Sequence, residues 1–168
     1  MKKSTKDKNE IKYKPIGIIH SPFKEPKGIP IQSAVAEGIE GTVEVFLEYV
    51  DGLESIEGFS HIILIYHFHL SKKFSLMVKP FMDENKHGVF STRAPTRPNP
   101  IGISIVRLIG IKGNILYIKD LDIIDETPLL DIKPYVPEFD ARKECKIGWL
   151  EKNIHKLSTL KDDGRFIF

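Results

Sequence analysis

Cysteine is nearly absent from this sequence. Cys145 stands alone among 168 residues, so no internal disulfide can form and no multi-cysteine zinc site can be assembled. That thiol count fits a reducing compartment, and a cytoplasmic protein is the expectation. Long apolar runs are missing as well. The longest, around Ile62 to Tyr66, falls far short of the ~20 residues that span a bilayer, and no apolar leader segment follows the N-terminal lysines. No membrane association is expected. Charge of one sign is also in short supply: 25 Lys and Arg stand against 23 Asp and Glu, a net of +2. Whole-chain charge therefore does not demand a polyanionic partner, and any nucleic-acid site has to be a local patch. The sequence lacks a G-x-G-x-x-G after a strand, a P-loop, a G-x-S-x-G and an H-E-x-x-H. A Rossmann-type nucleotide site is not expected.

What is present is enough for one core. With 41% hydrophobic residues, the chain suits a single domain, and a second full domain would be cramped. Residues 1–13 read as a flexible arm, since Met1 to Lys14 carries six lysines and almost nothing to bury. Beyond it, Ile16 to Ile19 reads as a short buried strand. Thr42 to Tyr49 alternates as a half-buried strand with Val43, Val45, Leu47 and Tyr49 on one face. Asp51 to Gly58 allows a helical turn or two, and Ser60 to His69 (SHIILIYHFH) is apolar on both faces, as a central strand would be. Ile103 to Ile111 and Ile115 to Lys119 flank a Lys-Gly-Asn hairpin turn. From Ile147 to Leu160, apolar residues three and four apart predict an amphipathic helix packing on the barrel or a partner, with Trp149 read as packing. Short strands between turn signals predict a mainly β fold, a small antiparallel barrel with a short helix and a C-terminal helical extension over 141–168.

Function is expected to concentrate in His87 to Ser104, HGVFSTRAPTRPNPIGIS. Pro95, Pro98 and Pro100 stiffen this stretch and exclude a helix, while Arg93, Arg97 and Asn99 load it with two guanidinium groups and an amide. A plain proline-stiffened connection would need none of these donors. His61, His67 and His69 project to one side of their strand. A metal site is not expected there, because His61 lies ~20 Å from His67 at ordinary strand rise. His69 is placed at a pocket at the strand's end. In DLDIIDETPLLDIKPY, the carboxylates Asp120, Asp122, Asp125, Glu126 and Asp131 can bind a divalent cation, accept from sugar hydroxyls or mark strand ends, and their spacing fits no standard calcium loop.

The strings FSTRAPTRPNPIGIS (Phe90 to Ser104) and DETPLLDIKPYVP (Asp125 to Pro137) resemble the two signature blocks of the TsaA-like, or TrmO, family. FSHIILIYHFH (Phe59 to His69) and IGIIHSPF (Ile16 to Phe23) resemble its flanking strands in the same order, so the likeness runs from about Lys14 to Asp140 and suggests a domain over 14–140. The resemblance implies a methyltransferase dependent on S-adenosyl-L-methionine, built on a β-barrel and acting as a homodimer with the cofactor near the subunit interface. Its acceptor would be the exocyclic amine of threonylcarbamoyladenosine at position 37, in the anticodon loop of tRNA. Carried over by position, cofactor contacts fall on Pro30, Ile31, Gln32, His69, Leu70, Arg93, Ile103, Leu121, Asp122, Ile123, Ile124 and Asp125. Arg97 and Asn99 share the arginine block and are candidates for cofactor, partner or RNA contact. No catalytic residue is assigned. The sequence departs from the family where Glu126 replaces a common glycine and where Ile31 replaces an arginine that commonly follows the proline. The second domain of bacterial members has no counterpart in it, which leaves the choice of tRNA open.

The residue types suit such a donor, which presents a sulfonium, ribose hydroxyls, an adenine and a zwitterionic amino acid. Asp122 and Asp125 can accept from hydroxyls or an amine, and Arg93 can pair a carboxylate bidentately. Two other readings stand beside this one: the same cofactor with a different acceptor, and a non-enzymatic module that binds the cofactor or RNA.

Overall fold

A computed structural model describes residues 10–166. The arm expected over 1–13 lies outside the described residues as far as residue 9, and residues 10–14 adopt neither helix nor strand. Six strands close a barrel in the order β1-β2-β7-β6-β3-β8. These are β1 (Gly17–His20), β2 (Glu40–Val45), β3 (His61–His67), β6 (Ile101–Lys112), β7 (Ile115–Lys119) and β8 (Thr127–Pro134). Every pairing around the ring is antiparallel, and closure leaves no open edge. A separate two-stranded ribbon, β4 (Met77–Val78) with β5 (His87–Gly88), comes between β3 and β6 in chain order, and a single helical turn, α1 (Pro137–Asp140), follows β8.

Period-two alternation places the core. Ile62, Leu64 and Tyr66 of β3 point inward with Val106 of β6, Leu116 and Ile118 of β7, Leu129 of β8, and Ile19, Val43 and Val45 from β1 and β2. Each fully buried Ile or Leu contributes roughly 1.5–3 kcal/mol through removal from water. Ile63 and Ile65 on the other face of β3 are only half-buried, so the two-sided apolar pattern marks an outer barrel surface and not a strand covered on both sides. Register sets Ile63 beside Ile105 and Ile65 beside Ile103, and Ile101, Ile103 and Ile105 stay exposed there.

Two further sequence expectations change. The strand expected to reach Tyr49 stops at Val45, and Leu47 to Leu53 winds into a 3-10 segment with Leu47 exposed. The reason is a missing partner. β2 pairs with β7 only as far as Glu44 with Ile115, where the chain enters the Gly113-Asn114 turn, and Asn114 caps Val45 through both backbone and side chain. The amphipathic helix expected from Ile147 is instead two short 3-10 pieces, Gly148–Lys152 and Ile154–Lys156. Gly148 takes a left-handed φ of 59° that starts the segment off the helical path. Trp149 and Lys156 are drawn to different loops, with Trp149 Nε1 donating to the Ser91 carbonyl and Lys156 Nζ to that of Met82. Leu150, Leu157 and Leu160 stay half-buried while Ile147 and Ile154 are exposed, and the backbone tightens to i→i+3 bonds.

Candidate functional site

Where β3 ends and β6 begins, Tyr66 pairs with Gly102 and His67 with Ile101, and at this rim four connections gather around a hollow of about 900 Å³. The β1–β2 loop supplies Pro30, Ile31 and Gln32. His69 and Leu70 come from the turn after β3, and Arg93, Arg97 and Asn99 from the proline loop. Ile103 belongs to β6, and Asp122, Ile123 and Ile124 to the β7–β8 connection. The arginine loop and the acidic segment, distant in sequence, thus share one cavity. Two of the residues named from sequence do not line it. Leu121 is fully buried in the barrel core, and Asp125 turns to the β1 side, where it pairs with Lys24 and accepts from the Ser21 N–H at 2.9 Å.

The proline loop is held by its own polar atoms. Thr92 Oγ1 donates to the Val89 carbonyl at 2.9 Å, and Arg97 Nη1 donates to the carbonyls of Thr92 and Ala94 at 3.1 and 3.3 Å. Arg97 therefore braces the loop on which Arg93 is carried. Arg93 Nη1 donates to Gln32 Oε1 at 2.7 Å, tying the two sides of the hollow together and leaving guanidinium N–H groups for a ligand. Asn99 lines the cavity as an exposed residue.

The floor is different in character. Ser104 Oγ donates to Asp122 Oδ1 at 2.6 Å and lies 3.1 Å from the Tyr66 hydroxyl. Burial raises the Asp122 carboxyl to about 6, with the Ser104 hydrogen bond opposing the shift. Tyr66 is raised too, by burial first and then by the neighbouring Asp122. At the rim, Thr127 Oγ1 donates to the Ile124 carbonyl at 2.7 Å, so its hydroxyl oxygen accepts from His69 Nδ1 at 3.3 Å. That assignment leaves His69 Nε2 with its lone pair. Burial and the nearby His67 and Lys72 depress the His69 pKa, which favours the neutral ring.

Tyr66, Ser104 and Thr127 were not singled out from sequence. The signal was there in part: a serine and a glycine on the inward face of β6, and a tyrosine on that of β3, are polar or empty positions in an otherwise aliphatic pattern. A Cβ at Gly102 would collide with the Tyr66 ring, so the glycine makes room for the ring. Glu126 occupies a left-handed φ of 60°, which accounts for the glycine that the family commonly places there.

Residues 18–141 match the family model described as the tRNA-methyltransferase O N-terminal domain. The chain belongs to the tRNA-methyltransferase O family. A probable S-adenosyl-L-methionine-binding protein of Pyrococcus abyssi is 70% identical over 154 residues, covering 92% of this chain and 84% of that protein. The human tRNA (adenine(37)-N6)-methyltransferase is 34% identical over 134 residues, covering 76% of this chain but 30% of its own length. A crystal structure of TrmO from Pseudomonas aeruginosa superposes with a TM-score of 0.70 at 39% identity, over 83% of this chain and 62% of that one. The chain thus spans under two thirds of the solved TrmO and about a third of the human enzyme. Among the described residues no helix is long and apolar enough to cross a membrane.

Proposed function

We propose that this chain binds S-adenosyl-L-methionine in the hollow and, as a cytoplasmic homodimer, transfers its methyl group to the exocyclic amine of threonylcarbamoyladenosine in the anticodon loop of tRNA. One observation carries the reading: a buried carboxylate, Asp122, faces a mainly apolar cavity whose rim holds a guanidinium. An anion set in such a floor is costly unless a cation arrives to meet it, and the residues fit a donor that carries a sulfonium and a zwitterionic amino acid end with both an ammonium and a carboxylate. Asp122 would meet positive charge on the donor, Arg93 with Gln32 would hold the carboxylate, and Ile103, Ile123 and Ile124 the flat apolar part.

When bound, the cofactor supplies an electrophilic methyl group on a sulfonium. The chain's own residues position and dry the site. Tyr66, Ile103 and Ile123 exclude water from the floor, and the braced proline loop fixes Arg93 so that orientation is set before the acceptor arrives. An exocyclic amine that gains a methyl must lose a proton. His69 Nε2, neutral and at the rim, would receive it in this reading. An anticodon-loop base is single-stranded and open to stacking, and Phe90, exposed at 77% beside Arg93, offers it a face. Lys72 and Lys73, next to the same rim, offer charge to phosphates.

Support for the acceptor comes from the family and from the human relative's name. Support for the dimer comes from the exposed isoleucine face of β3 and β6, which includes Ile103 and so adjoins the hollow. The test is calorimetric titration of the full chain with S-adenosylmethionine, followed by incubation with tRNA lacking the methyl mark and analysis of its nucleosides. Saturable binding, weakened ~10-fold or more by Arg93→Ala, with methyl recovered on threonylcarbamoyladenosine, is expected. Methyl on another base or a small metabolite would replace the acceptor. Binding without transfer to any RNA pool would reduce the chain to a binding module.

A further inference from the structure

The hollow has a wall that the family domain does not supply. The family match ends at residue 141, yet Trp149, Leu150, Ile154 and Leu157 all line the cavity. They belong to the last segment of the chain, which is fastened to both rims. On one side its backbone joins the β1–β2 loop: Gly28 N–H donates to the Asp162 carbonyl at 2.7 Å, Asp162 N–H to the Ile29 carbonyl at 2.9 Å, and Pro30 bridges to Lys161. On the other it meets the segment that leads into the arginine loop. Trp149 stacks on His87 with ring centroids 4.6 Å apart and an interplanar angle of 21°, and its Nε1 donates to the Ser91 carbonyl at 2.8 Å. Asp83, 3.0 Å from His87 Nε2, orients that ring. Beyond the hollow, Phe166 enters a small second core with Val78, Val89 and Ala94 and packs edge-on against Phe81 at 5.1 Å.

These anchors land on the same two loops that present Pro30 to Gln32 and Arg93. The segment does not rest against a remote face of the barrel. It spans the mouth of the hollow from one ligand-bearing loop to the other, with an apolar side turned inward. Ordering a chain end in this way costs conformational entropy, and the aromatic and apolar contacts along its length offset it.

We infer that the C-terminal segment around Trp149 to Leu157 completes the S-adenosylmethionine site, supplying direct apolar contacts to the bound donor. The inference rests on the reading of the hollow given above. Its occupant is the methyl donor, because the segment closes the side of the cavity that faces Pro30 and Arg93.

Trp149 is the sole tryptophan, so the chain carries its own probe. Full-length protein would be titrated with S-adenosylmethionine at fixed pH, following tryptophan emission and heat in parallel. The emission should change saturably with the calorimetric midpoint. Trp149→Ala and Leu157→Asp should each weaken binding about tenfold, and Trp149→Phe should restore most of it. Circular dichroism of each variant checks that the barrel persists, and Ile154→Ala, a milder change, gives a readout if Leu157→Asp disturbs folding. Heat without any emission change, together with unaltered affinity in Trp149→Ala and Ile154→Ala, would overturn the inference while leaving the donor reading intact. Absence of heat in the wild-type chain would remove both.

Discussion

At the scale of single residues, Asp122 is where the proposed function and stability pull apart. Its carboxyl, ordinarily near 3.8, is raised by burial to about 6 in the folded chain. Between those values the folded state holds a proton that the unfolded state has lost. The stability from protonating Asp122 is therefore present at low pH and is lost as pH rises through about 6. Asp122→Asn mimics the uncharged form. At pH 8 the variant should melt higher than wild type by an amount equivalent to roughly 1–3 kcal/mol, with the difference shrinking toward pH 5. The same substitution should weaken S-adenosylmethionine binding at pH 8, and wild-type affinity should itself fall as pH drops below about 6. Thermal melts and calorimetry across that range check both. A variant melting lower than wild type at pH 8 would mean that the carboxylate stabilises the fold and does not await a cation.

Single elements carry the site by their ends. β3 and β6 are ordinary alternating strands along most of their length, but at the rim the inward positions become Tyr66, Gly102 and Ser104. The core therefore grades into a polar floor without a break in register. Gly102→Ala tests that arrangement, because an added Cβ meets the Tyr66 ring and the neighbouring Phe68. A loss of roughly 1–3 kcal/mol in denaturant unfolding is expected, with weaker donor binding as Tyr66 is displaced from Ser104. Unchanged stability and affinity together would show that the ring has free room to move. The arginine loop is read in the same way. Its prolines excluded a helix from the sequence alone, but the division of labour between Arg97 as brace and Arg93 as presenter depends on carbonyl directions that spacing does not encode.

For the whole molecule, closure of the barrel removes strand edges and leaves an apolar outer face on β3 and β6. Ile63 and Ile65 on β3 and Ile101, Ile103 and Ile105 on β6 form it, in register. A contiguous apolar patch on the outside of a barrel marks an interaction surface, and a second copy of the chain is the proposed occupant. Ile105→Lys should convert a dimer to a monomer in sedimentation velocity while leaving the barrel folded, since the side chain points outward. Wild type sedimenting as a monomer at micromolar concentration would reject the dimer, whatever the variant does.

Much of this was legible in the order of residues. Short apolar or β-rich runs bounded by turn residues marked β1, β3, β6 and β7, the lone cysteine excluded disulfides, and the arginine and acidic blocks announced the family. These are local or composition-level signals that survive in an unfolded chain. Tertiary structure decided the rest. It ended β2 where β7 ran out of partners, turned an apparent helix after Ile147 into a strap across two loops, and sent Asp125 and Leu121 away from the hollow that Asp122 enters. Each of these outcomes depends on which surface a segment meets, and so on distances between residues far apart in the chain. Spacing along the sequence records which groups a segment carries, and only packing fixes what they face.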